Sequence, residues 1–436
     1  MKSNLNDKKL LITFFILYAL FILVRDLFGI QINNGIFLIL LFGASLMVPI
    51  NQVTALVSFL IVPNMNMAFS TIAFVIWISI IIRFQQKIQL GTWIIPTIIL
   101  IFIEGLSFQY GYFNLIEYFS FFAVLTLVVV LLNNPSFMER PKLTVISFLC
   151  GAFLGTFSIL IQTFNFYTFQ EFINFRKRLG PTDFAVFETI NTIHMNPNTL
   201  GMVCSIAITL LILLIINDEK LKNNLKVALC FWFIGIGFLT LSKTYYFSLI
   251  LIFSFTLIYY LHQKNKTIKS IFGLLGIGIG LFLIINQLPK KLINNLSNRF
   301  LEGDFTTGRS EIFSDYNQVL SDHPTWIFLG SGLQNYSTKA GIDMSIHNAI
   351  QQIYFTWGFL GLVVSLIFFY QIYTIPKLSI NKDFINLFYF LPYLNLLFIV
   401  QSSRFFSTYS TIFLLIPVIA GTLFVKNRNN KYDRNI

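Results

Sequence analysis

The chain has 436 residues, 56% of them hydrophobic and only 11% charged, with 30 Lys and Arg against 18 Asp and Glu for a net charge of +12. A soluble domain carries about 25% charged residues to wet its surface, so a water-facing globule is excluded and most of this surface must meet lipid. The apolar runs are long and continuous, without period-two alternation, which excludes a β-barrel. What remains is an all-α polytopic membrane protein. Its positive charge belongs to loops that set orientation in the lipid bilayer, and no nucleic acid partner is implied.

Apolar runs of about 17–25 residues can span a bilayer. In chain order they fall at 10–28, 35–48, 52–63, 67–84, 91–107, 113–132, 143–164, 197–216, 225–241, 243–261, 268–286, 347–372, 384–400 and 405–425. The first follows Lys8 and Lys9 and lacks a small-residue cleavage site, so it is expected to be retained as a helix. The second and third are short and meet at Pro49-Ile50-Asn51. They read as two thin spans, a re-entrant pair or one broken helix, giving 12–14 transmembrane helices in all. Cys150, Cys204 and Cys230 lie inside apolar runs and imply no disulfide framework.

With the N-terminus in the cytoplasm and strict alternation, 19 of the 30 basic residues fall on the inner side and both termini are inside. The chain then reads as a single transmembrane domain over 1–436, with an outer basic loop at 165–196 and a large outer loop at 287–346. These two loops hold eight of the eleven outer cations: Arg176, Lys177 and Arg178, then Lys290, Lys291, Arg299, Arg309 and Lys339. Arg25, Lys243 and Arg404 stand at outer helix ends. Cations kept outside against the usual bias indicate an outer task, although long loops translocate whatever their charge.

Loop 165–196 ends in a helix start, with Asn196 as N-cap and Pro197 in the first helical position. Ser242-Lys243-Thr244 forms a tight outer turn. In the larger loop, Thr307 is the expected N-cap of a short amphipathic helix whose apolar face is Phe313, Tyr316 and Leu320. Arg309 then sits at a helix N-terminus, where backbone N–H groups favour an anion. His323-Pro324 closes that helix and Gly330-Ser331-Gly332 turns behind Trp326; the apolar face is expected to lie on the membrane surface or cap the bundle. His347-Asn348 opens the next span, with Ser345 as a possible cap. His347, Gln351 and Tyr354 would share one helix face, turned toward the bundle interior. A lone interface histidine is ordinarily a structural hydrogen-bonding group; flanking Arg-rich loops raise a general-base role for His347 beside it. Glu104 and Glu117 are expected to reach the interface. No metal-ligand spacing, P-loop or dinucleotide fingerprint is present, so neither metal nor cofactor is expected.

Taken in order, these features resemble the bacterial O-antigen ligase and O-antigen and capsular polysaccharide repeat-unit polymerase superfamily. The residues that carry the resemblance are Arg176, Arg178, Asn196 and Asn198; Ser242-Lys243-Thr244; Arg299 and Gly308-Arg309; His323-Pro324 through Gly330-Ser331-Gly332; and His347-Asn348 with Gly358 and Gly361. They cover about 165–365, whereas the first 160 residues agree in hydropathy alone. The family usually shows arginine where Lys243 stands; lysine keeps the charge and loses the bidentate geometry. The resemblance implies a metal-independent membrane glycosyltransferase at the outer face of the bacterial cytoplasmic membrane. Its donor would be an undecaprenyl-diphosphate-linked oligosaccharide, its acceptor another glycan, and its partners a chain-length regulator and a flippase. Arg176, Arg178, Arg299 and Arg309 would bind the diphosphate and His347 would be the base, with Lys243, Asn348, Gln351 and Tyr354 in support. A ligase would share this chemistry and differ in acceptor. A flippase for the same lipid is the reading from another class, and the absence of internal repeats and of mid-span charge weighs against it.

Overall fold

The computed structural model describes residues 2–63, 69–84, 88–89, 91–111, 113–174, 177–180, 195–218, 221–262, 290–301, 309–374, 388–401, 404–407 and 409–433. The expected span at 268–286 and the Thr307 cap lie outside the described residues. Within them every regular element is a helix. The first half of the chain contributes α1 (Lys2–Phe28), α2 (Asn34–Met47), α3 (Val53–Leu60), α4 (Phe69–Phe84), α5 (Ile94–Leu106), α6 (Leu115–Asn133), α7 (Pro141–Phe166) and α8 (Phe169–Asn174). Next come α9 (Pro197–Asn217), α10 (Asn223–Leu239) and α11 (Lys243–His262). Four short helices follow: α12 (Lys290–Leu301), α13 (Arg309–Asp322), α14 (Trp326–Leu329) and α15 (Tyr336–Ala340). The chain closes with α16 (Ala349–Thr374), α17 (Leu391–Val400), α18 (Tyr409–Phe413) and α19 (Leu415–Asp433).

Among the described residues, six helices are long and apolar enough to cross a membrane: Lys9–Phe28, Leu115–Asn133, Pro141–Phe166, Pro197–Asn217, Lys243–His262 and Ala349–Thr374. Shorter apolar helices pack among them. The two short runs around Pro49 are separate helices, because α2 packs on α1 and α4 whereas α3 packs on α7 and α19. Every residue of α3 is buried. Its contact with α7 is made possible by Gly151 and Gly155, four apart on one face of α7. A Cβ on Gly151 would stand 2.0 Å from the Phe59 carbonyl oxygen, and one on Gly155 would stand 2.3 Å from Val62 Cγ1. Association of apolar helices in lipid gains little from hydrophobicity, so backbone approach at small residues carries the packing. The central α9 is buried for most of its length and touches α7, α10, α11, α17 and α19.

Polar contacts between helix ends sort into two opposite faces. On the Lys142 face, Arg83 Nη1 at the end of α4 donates to Val48 O (2.8 Å) just beyond α2. Nearby, Asn51 Nδ2 donates to Glu139 Oε2 (2.8 Å), and Lys142 pairs with Asp218 (2.8 Å). On the Arg178 face, Arg25 and Asp26 form an ion pair (2.6 Å) at the end of α1, and Ser158 Oγ near the end of α7 donates to Asp26. Between the faces, Asn395 of α17 accepts from Ser248 Oγ of α11 (2.6 Å) and donates to Ser205 Oγ of α9 (2.6 Å), while the two serines bond each other. This closed ring leaves no group of the three orphaned within hydrocarbon.

The short helices of the 287–346 connection cap the bundle. Tyr316, Leu320, Trp326, Tyr336, Ile346 and Phe355 form a satellite core, with Ile312 and Val319 packed against it. The apolar face of α13 therefore centres on Ile312, Tyr316 and Val319. Phe313, expected there, is 48% exposed because it sits roughly 100° round the helix from Ile312, at the rim of the stripe. The start of α16 also differs from expectation. Asn348, not Ser345, caps it: its Oδ1 accepts from Gln351 N (3.0 Å) and its carbonyl from Gln352 N (2.8 Å). His347 consequently precedes the helix and does not share a helical face with Gln351 and Tyr354.

Candidate functional site

The sequence places a Pro-capped helix after the first basic loop, and α9 starts as expected: Asn196 Oδ1 accepts from Asn198 N (2.8 Å) with Pro197 in the first position. That fixes Asn198 at the end of the bundle, where its Oδ1 accepts from Arg178 Nη2 (2.7 Å). Arg178 Nε donates to Thr240 O (2.8 Å), and Leu179 N donates to Leu239 O (2.9 Å). The basic loop is thus stitched to the turn between α10 and α11. Leu241 in that turn has φ +50°, and Ser242 Oγ is buried without a partner. Lys243, half-buried, is the first residue of α11. Arg178, Asn198, Ser242 and Lys243, separate in sequence, meet at one place on the Arg178 face. Arg176 lies outside the described residues, and Arg299 and Arg309 are described in their backbone only, in the last turn of α12 and the first position of α13.

A second polar group gathers where α16 breaks. Gly358 has φ +62° and ψ −166°, so the helical ladder is interrupted there. The interruption frees the carbonyls of Phe355 and Thr356. Ser331 N donates to Phe355 O (3.0 Å) and Gly332 N donates to Thr356 O (2.7 Å), so the Gly330-Ser331-Gly332 turn repairs the break from outside. The close fit requires glycine: a Cβ on Gly330 would stand 2.2 Å from Thr356 O, and Gly330 and Gly332 adopt φ +73° and +83°. A segment of the long connection is therefore inserted against the middle of a membrane helix.

Glu104 of α5 anchors that segment. Its side chain is fully buried, and Oε2 accepts from Leu333 N (2.7 Å) and from the indole Nε1 of Trp357 (2.8 Å). Oε1 has no partner, nor have the neighbouring Ser107 Oγ and Gln334 Nε2. The expectation that Glu104 reaches the interface fails because the 331–334 turn folds over it; Glu117, by contrast, is exposed as expected. Lys339 donates to Ser331 O (2.7 Å) beside this carboxylate. Burial holds the Lys339 ammonium below the ordinary lysine range, and the charge of Glu104 partly offsets that.

His347 is half-buried, between Ile346, whose N–H donates to Tyr336 Oη (3.0 Å), and the capping Asn348. Three residues back, Met344 O accepts from Tyr316 Oη (2.9 Å), so α13 and α15 both hold the strand of chain that carries the histidine. Gln352, in the first turn of α16, donates to Ser407 Oγ (2.7 Å), which lies beyond the end of α17. Because α17 also packs on α9 and α11, it ties the His347 group to the Arg178 group. Of the residues singled out from sequence, His347, Asn348, Gln351 and Tyr354 fall in one stretch and Arg178 and Lys243 in another. Sequence reasoning set Glu104 at the interface and Lys339 among the outer cations without bringing them together, and it missed Trp357. The signal available was an acid in an apolar run, which in a membrane helix demands a partner.

Such a face offers cations, a histidine held at a helix entrance and an aromatic-lined connection above them, an arrangement suited to binding an anionic group and moving a proton. No family model matches the chain, and no curated protein matches it.

Proposed function

We propose that the protein is a membrane glycosyltransferase that polymerises undecaprenyl-diphosphate-linked oligosaccharide repeat units into capsular or O-antigen polysaccharide at the outer face of the bacterial cytoplasmic membrane. In this reading the chain crosses the bilayer 12–14 times with both termini inside, and the Lys142 face is cytoplasmic. The Arg178 face is then external, and Arg176, Arg178, Arg299 and Arg309 bind the diphosphate, the planar guanidinium matching phosphate oxygens. His347 takes the proton from an acceptor hydroxyl as it attacks the anomeric carbon. Lipid diphosphate leaves, its growing negative charge met by the arginines.

The observation that carries the proposal is the stitching of Arg178 to Asn198 and to the turn that leads into Lys243 (2.7 and 2.8 Å). It brings two elements of the sequence resemblance, 62 residues apart, to one end of the bundle. The test is the glycan on the lipid carrier in cells lacking the gene. Single repeat units at the outer face, never extended, are the expected result. Full-length polymer stranded on the carrier would make the protein a ligase, and single units trapped on the cytoplasmic face would make it a flippase.

A further inference from the structure

His347 lies in no helix, yet the chain is held on both sides of it. On its C-terminal side Asn348 caps α16, its Oδ1 accepting from Gln351 N (3.0 Å). On its N-terminal side two tyrosines hold the irregular chain. Tyr316 Oη of α13 donates to Met344 O (2.9 Å), and Tyr336 Oη of α15 accepts from Ile346 N (3.0 Å).

Both hydroxyl groups stand on fixed rings. Tyr316 is 0% and Tyr336 4% exposed, and their ring centroids lie 6.0 Å apart. Each ring also packs against Phe355 of α16, at 4.6 and 6.1 Å between centroids. Phe355 is buried, and its carbonyl is held by Ser331 N (3.0 Å), so the post on which the tyrosines lean is itself braced. Burial keeps the Tyr316 hydroxyl protonated well above the ordinary tyrosine range, so it remains a donor. Ile346 adds its buried side chain to the same core, and the half-buried His347 follows it directly. The place of the histidine beside α16 is therefore set by α13 and α15, through two hydroxyl groups and one shared aromatic ring. Filling the core asks only for the rings. The hydroxyls do something else: they take a buried backbone N–H and a carbonyl that no helix satisfies.

We propose that Tyr316 and Tyr336 are positioning residues for His347, their hydroxyl groups fixing the chain at 344–346 and with it the place from which the imidazole takes a proton. Displacing a catalytic group by about 1 Å can cost on the order of 10²-fold in rate. Two hydrogen bonds are thus enough to govern rate without deciding whether the protein folds. That the histidine is a base rests on the transferase reading above; the clamp itself does not.

Tyr316→Phe and Tyr336→Phe each remove one oxygen and keep the ring. The full-length variants in nanodiscs are treated with diethylpyrocarbonate, and modification of His347 is followed on its own peptide by mass spectrometry. Transfer is measured in parallel with an undecaprenyl-diphosphate-linked repeat unit, per amount of folded protein from thermal melting. His347 should be modified severalfold faster in each variant. kcat should fall about tenfold or more with the donor KM unchanged. Adding Tyr336→Phe to His347→Ala should slow the reaction no further, because the hydroxyl acts through the imidazole. If one phenylalanine variant melts far below wild type, the other carries the comparison. Unchanged modification of His347 in both variants would overturn the clamp. A further loss in the double variant, equal to that of Tyr336→Phe alone, would make the tyrosine merely structural and overturn the positioning role. Faster modification in a protein that transfers no sugar would leave the clamp standing and sink the transferase.

Discussion

Glu104 and Trp357, 253 residues apart, meet through a 2.8 Å hydrogen bond from the indole N–H to the carboxylate, in a site from which solvent is excluded. The same oxygen takes the Leu333 N–H, so one side chain joins α5, the inserted turn and the break in α16. Glu104→Ala strands these donors in a dry environment and is expected to cost about 3 kcal/mol. Glu104→Gln keeps an acceptor and should cost less than half as much. Thermal melting in detergent compares them, and limited proteolysis within 326–340 reports whether the turn has come away. Equal melting of wild type and Glu104→Ala would refute the anchoring role.

Gly330 tests the same junction from the other side. Alanine there must adopt φ +73° and place a Cβ 2.2 Å from Thr356 O. A loss of about 3 kcal/mol is expected, compounded of backbone strain and forced withdrawal of the turn. Gly341 is the control: it also has a positive φ, +68°, but nothing lies within 4 Å of an added Cβ. Gly341→Ala should therefore be the milder change in the same melting experiment.

Hydropathy exposed the helical class, and local chemistry exposed the Asn196 cap and the end of α13 before His323, because those features depend on neighbours within a few residues. The Glu104 anchor was invisible for the opposite reason: its partners lie 229 and 253 residues away. His347 was placed in a helix because the pattern beyond it is helical, and only the Asn348 side chain, bonding Gln351 N, moves the boundary past it. Phe313 and Ile312 are equally apolar in sequence; the side from which Phe355 approaches α13 decides which is covered.

On the transferase reading, with His347 as its base, His347→Ala is expected to reduce polymer formation about 10²–10⁴-fold, the usual contribution of a general base. Protein level, membrane insertion and melting temperature should stay near wild type, since the histidine lies outside the helix and the Asn348 cap remains. Polymer of normal amount and length in that variant would remove His347 from the reaction.

The ring of Ser205, Ser248 and Asn395 is expected to act on stability alone. Asn395→Leu breaks two hydrogen bonds between α17 and its neighbours and should cost about 1 kcal/mol, the scale of interhelical hydrogen bonds in membranes. Activity at low temperature should be retained. A loss of activity without a change in melting would give the ring a role beyond packing.

Lys339 gives a pH dependence. Its folded-state pKa lies below the ordinary value of 10.5, chiefly through burial. The unfolded chain therefore binds the proton more tightly, and this group favours the folded state more as pH climbs through the interval just below 10.5. Lys339→Met lacks the titration. The difference in melting temperature should shift toward wild type as pH rises through that interval, and a constant difference would contradict the assignment.

The junction at Glu104 also imposes an order on biosynthesis. Residue 104 leaves the ribosome 229 residues before Leu333 and 253 before Trp357. At about 5–20 residues per second the interval is on the order of 10–50 s. Throughout it, α5 waits in the nascent bundle with an acid that none of its final donors has reached. The closing step of assembly is then the arrival of the 331–334 turn and α16 together, and a chain truncated before Leu333 would present the quality-control machinery of the membrane with an unmasked carboxylate.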